Sequence, residues 1–180
     1  MVSIKNILKL AGTRDTRQKV GDVSGLDKYD VLLDIHWVAK NIETTRRLNM
    51  IVFLLQEKSP EIKKILNYTF YDTIVGPYSP KLTDDVEDLA NGGWIRGDDK
   101  VARGEGFGHS FMLSDFGIVD FKFHKTTREK LKNSGIEGKI REVIEKYNIL
   151  KKHPYNLMKE IKQSEVYKVV RPAEELHLFS

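Results

Sequence analysis

The sequence predicts a mainly α-helical fold carrying one small β-hairpin. Three observations point there. Residues 50–55 read MIVFLL, a dense apolar run inside a helical pattern, and such a run marks the centre of a core. Ser59-Pro60 and Ser79-Pro80 each place a capping hydroxyl before a proline at the first helical position, a common way for helices to begin. Residues 94–113 set two short strand-like runs on either side of a charged, glycine-rich loop, the pattern of a long hairpin.

The elements follow in order. Ile4, Ile7, Leu8 and Leu10 form one face of a short helix, and residues 12–25 read as a polar, basic arm. Residues 26–41 predict a helix with Leu26, Tyr29, Leu33, Ile35, Trp37 and Val38 apolar. The next helix carries Ile42, Leu48, Ile51, Val52, Leu54 and Leu55 and ends before Pro60. Residues 59–70 predict a third, with Ile62, Ile65, Leu66 and Phe70 on one face, broken by Gly76-Pro77. A fourth runs over 80–91 and stops at Asn91-Gly92-Gly93. Strands at 94–96 and 110–113 flank the loop. Further helices follow, the one at 136–147 with Ile136, Ile140, Val143, Ile144 and Tyr147 on one face, and a last short one before a tail. The expected division is an N-terminal helix and basic arm (1–25), a central domain with flanking helices (26–150), and a C-terminal helix and tail (151–180).

Composition narrows the functional classes. With 180 residues, 40% hydrophobic and 31% charged, the chain suits one soluble domain. No apolar run approaches the roughly 20 residues that span a membrane. The start lacks the order of a signal peptide, so a cytoplasmic location is expected. The absence of cysteine excludes disulfides, thiolate metal sites, iron–sulfur clusters and cysteine nucleophiles. The net charge of +4 is unevenly spread: residues 61–119 hold 6 Lys or Arg against 10 Asp or Glu, and residues 120–180 hold 14 against 9.

The order helix, helix, turn, helix, hairpin, helix over residues 42–121 is that of a winged helix-turn-helix core, here with additional N- and C-terminal helices. Within it, Tyr68, Phe70, GPYSPKL (76–82), LANGGWI (89–95) and FMLSDFG (111–117) resemble the YwgA-like and related uncharacterised prokaryotic winged-helix proteins. The resemblance covers under half the chain and implies the fold rather than an activity. By analogy of fold, the expected function is a small DNA-binding transcriptional regulator.

The helix at 80–91 complicates that expectation. Leu82, Val86 and Leu89 fall at i, i+4 and i+7 and face the core. Lys81, Asp84, Asp85 and Asp88 are then expected outside, where a winged helix would meet DNA. Three carboxylates there oppose phosphate binding, which depends on Lys and Arg. The candidate nucleic-acid contacts are therefore Arg14 and Arg17 of the arm, Lys81, and Arg96, Lys100 and Arg103 of the wing. Lys122, Lys125, Arg128, Lys130 and Lys132 add a cationic run behind the wing, and Arg46 and Arg47 lie on the central helix. The alternative is a protein-interaction module, antitoxin-like or an adaptor, whose Asp84, Asp85 and Asp88 meet a basic partner. Tyr68, Tyr71 and Tyr78 read as core and turn packing.

Catalytic patterns are missing. The five histidines (His36, His109, His124, His153 and His177) show no metal-ligand spacing, and there is neither a Walker loop nor a Gly-x-Ser-x-Gly elbow. The glycines at 104, 106 and 108 have no helix directly after them to bind a nucleotide. The expectation is a non-enzymatic protein with no catalytic residues, metal or cofactor, binding double-stranded DNA or a basic protein, and forming a homodimer through residues 136–149.

Overall fold

The computed structural model describes residues 22–97, 111–115, 117–118 and 125–175. Among these it is mainly helical, with seven α-helices and two small antiparallel hairpins. The helices are α1 (Lys28–Ala39), α2 (Thr45–Lys58), α3 (Pro60–Leu66), α4 (Pro80–Asn91), α5 (Lys125–Asn133), α6 (Ile136–Lys146) and α7 (Pro154–Lys162). One hairpin joins β1 (Tyr71–Thr73) to β2 (Gly76–Tyr78), and the other joins β3 (Ile95–Gly97) to β4 (Phe111–Leu113). None of the described helices is long and apolar enough to cross a membrane. The helix and arm expected over 1–25 lie outside the described residues, apart from 22–25.

The centre of the core is α2. Leu48 and Met50–Leu55 are all completely buried. Burial on every side means the helix is enclosed, and α3, β2, α6 and α7 surround it. Such a helix tolerates polar side chains only where each finds partners. Asn49 Nδ2 donates to the Thr45 carbonyl at 3.0 Å, and Asn49 Oδ1 accepts from the Ser79 N–H at 2.9 Å. Gln56 Nε2 donates to the Tyr68 carbonyl at 3.0 Å, and its Oε1 accepts from the Tyr68 N–H at 2.8 Å. Arg47 donates to the carbonyls of Ile149 and Lys152 and pairs with Glu43. Three polar side chains of one helix thus hold three later stretches of backbone.

One of these clamps accounts for a difference from the sequence reading. Residues 59–70 were expected to form one helix, but α3 stops at Leu66. Asn67 adopts left-handed backbone (φ 47), and Gln56 takes both backbone groups of Tyr68. The chain then forms β1–β2, registering Tyr71 with Tyr78 and Thr73 with Gly76. The C-terminal segment caps this hairpin: the Asp72 N–H donates to the Arg171 carbonyl at 2.7 Å, and the Arg171 N–H donates to the Phe70 carbonyl at 2.9 Å.

The elements expected around the turn form where the sequence places them. The Ser79 hydroxyl accepts from the Leu82 N–H at 3.4 Å, Pro80 opens α4, and Leu82, Val86 and Leu89 are buried. Ile95 pairs with Leu113 across the second hairpin. The Ser-Asp-Phe-Gly corner closes it, with Ser114 Oγ donating to the Gly93 carbonyl and accepting from the Gly117 N–H at 2.9 Å. A β-carbon at Gly117 would stand 2.0 Å from the Trp94 carbonyl oxygen, so only glycine fits there. The apolar face of residues 136–149, expected at a dimer interface, is buried inside the protomer, where α6 packs on α1 and α2.

Candidate nucleic-acid interface

The first test of α4 as a reading helix is where its acids point. Asp85 does not face outward: its side chain is fully buried. Asp85 Oδ1 accepts from Lys28 Nζ at 2.7 Å and lies 3.1 Å from Lys81 Nζ, while its Oδ2 accepts from the Tyr68 hydroxyl at 2.8 Å. Burial opposes the charge, but hydrogen bonds from Lys28, Tyr68 and Lys81 outweigh it and hold the carboxyl below its ordinary 3.8. Burial and the adjacent carboxylate push the Tyr68 phenol well up. The correction follows from helical phase. Position 85 lies three residues after Leu82 and four before Leu89, so it belongs to the apolar face. Asp85 is therefore a structural hub between α1, Tyr68 and α4, not a partner-binding residue.

Lys81 is exposed, yet its ammonium is engaged with Asp85. Asp84, Glu87 and Asp88 remain on the surface of α4, and Asp88 accepts from the Tyr29 hydroxyl at 3.4 Å. The outer face of α4 is thus acidic, with its nearest lysine committed to a buried acid.

Cations gather elsewhere. At the end of α1, Trp37 carries two of them: Lys40 Nζ lies 4.4 Å and the Arg128 guanidinium carbon 4.2 Å from its ring centre. Both distances fall within cation–π range. Trp37 and Lys40 line a cleft of about 240 Å³ whose other walls include Arg96, Met112 and Leu113 from the second hairpin. Arg96 is 3.9 Å from Asp115, and both side chains are more than half exposed, so this pair is weak. Two cations, from the end of α1 and from α5, therefore meet on one indole, and Arg96 of the second hairpin lines the cleft beside it.

Of the residues proposed from the sequence, Arg96 lines the cleft beside Trp37 and Lys40, and Lys81 does not. Arg14, Arg17, Lys100 and Arg103 lie outside the described residues. Lys40 was not anticipated, although its spacing of three from Trp37 on a helix is a usable signal. Arg128 stood out only as part of a basic run. Its meeting with Trp37, across 91 positions, has no signature in the sequence. Tyr68 is buried, as expected of a packing residue. Among the described residues, no group of three or more His, Asp or Glu side chains could hold a metal ion. Comparison of the chain with protein-family models, curated proteins and solved structures finds no match.

Proposed function

We propose that this chain is a non-enzymatic winged-helix DNA-binding protein of the cytoplasm, a transcriptional regulator that grips duplex DNA at the base of its wing rather than along α4. The observation carrying this reading is the pair of cations, Lys40 and Arg128, on Trp37, with Arg96 lining the same cleft. The succession of α2, α3, α4 and the β3–β4 hairpin supports the fold assignment, and the GPYSP turn and LSDFG corner support the likeness to YwgA-like proteins. Phosphate neutralisation by Lys and Arg supplies most of the affinity of such proteins. The cation–π contacts hold two of these side chains in place before DNA arrives, which lowers the entropy lost on binding.

The test is a gel-shift titration on duplex DNA from about 50 to 200 mM salt. Binding is expected to weaken steeply with salt, and Lys40→Ala, Arg96→Ala and Arg128→Ala each to reduce the salt slope by about 1. No duplex binding at the lowest salt, or a triple variant that binds like the parent, overturns the reading. On this reading α4 does not contact the DNA, so Asp84→Asn with Asp88→Asn should change affinity by no more than about twofold, the residue of screened long-range charge.

A second reading, an interaction module for a basic protein, is favoured by one observation: Asp84, Glu87 and Asp88 form an exposed stripe at i, i+3 and i+4 on α4. It predicts that the same double variant abolishes pull-down of the partner while leaving the fold intact. A homodimer, if formed, uses a surface other than the apolar face of residues 136–149. Sedimentation velocity reads that directly.

A further inference from the structure

A second cleft, of about 420 Å³, opens away from the Trp37 cluster, between the start of α2 and the start of α7. Its walls include Thr44, Thr45 and Arg46 from the first turn of α2, Tyr78 from β2, and His153 and Pro154 from the start of α7. Among the described residues, no carboxylate lines it. We propose that this cleft is a binding site for a small phosphomonoester, its phosphate held by Arg46 and His153 and its organic part lying against Val75 and Pro77.

Three independent features converge. Arg46 is half-buried and makes no ion pair among the described residues, while its neighbour Arg47 is engaged with Glu43 and two carbonyls. A guanidinium held at a cleft wall without an acid suits an oxyanion from outside. Thr44 caps α2 and His153 caps α7, so two helices of 14 and 9 residues direct their positive ends at the same space. His153 uses one ring nitrogen, Nδ1, to accept from the Tyr155 N–H at 3.3 Å, and this fixes the orientation of the ring. Val75, Pro77 and Pro154 add apolar surface to the lining, and such a mixture suits a ligand with one charged end. Asn49 at the floor is satisfied by the Thr45 carbonyl and the Ser79 N–H, so the cleft is preformed.

Isothermal titration calorimetry of the full chain with phenyl phosphate tests this. One site is expected, with inorganic phosphate competing for it. Arg46→Ala should weaken the affinity at least about tenfold, the effect of losing a charge-assisted hydrogen bond. His153→Ala, at an exposed cap, should weaken it less and serves as the second variant if Arg46→Ala does not fold. Lys40→Ala, in the wing-base cluster, should leave it unchanged, so the result is independent of DNA binding. No heat with the parent protein up to about 10 mM ligand overturns the proposal. So does a parent-like affinity in a folded Arg46→Ala, and so does benzoate binding as tightly as phenyl phosphate.

Discussion

Two buried aspartates, Asp85 and Asp34, show opposite ways in which this fold handles a carboxylate. Asp85 is surrounded by donors and stays charged. An acid whose folded pKa lies below its unfolded value stabilises the fold above the unfolded pKa, and that contribution is lost as pH falls through the folded value. For Asp85 the loss therefore lies below 3.8. Asp85→Asn is expected to destabilise by about 1–3 kcal/mol at pH 7, less than a wholly buried pair because both lysines reach solvent. In urea titrations the difference should shrink below pH 4. Asp34, on α1, is buried, and its Oδ2 makes no hydrogen bond among the described residues. Burial, reinforced by Glu137 and only partly offset by Arg128 and Arg141, pushes its carboxyl up to about 7. Here the folded state holds the proton more tightly than the unfolded chain. The stability due to Asp34 is complete below the ordinary 3.8 and is lost as pH rises toward about 7. The parent protein should lose up to about 4 kcal/mol across that window, and Asp34→Asn should not show the decline. A parent profile that is flat from pH 4 to 7 would refute the assignment.

Among the elements, the β1–β2 hairpin is the one that depends most on its surroundings. A two-stranded hairpin of three-residue strands has little stability alone. Thr73 Oγ1 donates to the Gly76 carbonyl at 2.8 Å across the turn, and Lys162 and Tyr167 both donate to Asp72. Gly76 has φ 110, a conformation that residues with a β-carbon rarely adopt, and an added methyl would meet Met50 Cε at 3.3 Å and Met158 Cγ at 3.4 Å. Gly76→Ala should therefore cost about 1–3 kcal/mol from backbone strain, with some loss from crowding at α2 and α7. Thermal unfolding measures this. A change under half a kcal/mol would mean that the turn relaxes freely. The glycine of the GPYS turn is thus explained by its backbone conformation first and by packing second.

Across the whole molecule one core is shared: α2 packs on α3, β2, α6 and α7, while α1 packs on α6 and on β4 of the second hairpin. Phe53 makes edge contacts with Phe70 at 5.4 Å and with Tyr167 at 5.9 Å, linking the middle of α2 to β1 and to the segment after α7. Such sharing predicts a single cooperative transition. Trp37 and Trp94 both lie beside the β3–β4 hairpin, so tryptophan fluorescence reports that region while far-UV circular dichroism reports all helices. The two midpoints should coincide. Tyr167→Ala, which removes a half-buried ring and the hydrogen bond to Asp72, should lower both together by about 2 kcal/mol. Separated midpoints would show that the carboxy-terminal segment unfolds independently.

Sequence pattern alone specified what depends on neighbours along the chain. The proline starts of α3 and α4, the glycine stop after Asn91, the buried phase of Leu82, Val86 and Leu89, the MIVFLL core and the strands of the β3–β4 hairpin were all legible. Each follows from local propensity and helical or strand period. The β1–β2 hairpin was not legible, because Gln56 and Arg171 help to form it from outside its own stretch. The inward turn of Asp85 was obscured because its charge outweighed its helical phase, and the neutralising Lys28 lies 57 residues away. The Lys40–Trp37–Arg128 cluster and the cleft at Arg46 also required the fold. Charge and aromaticity can be read one residue at a time, but which charges meet is decided by packing between distant helices, and spacing in the chain does not encode that distance.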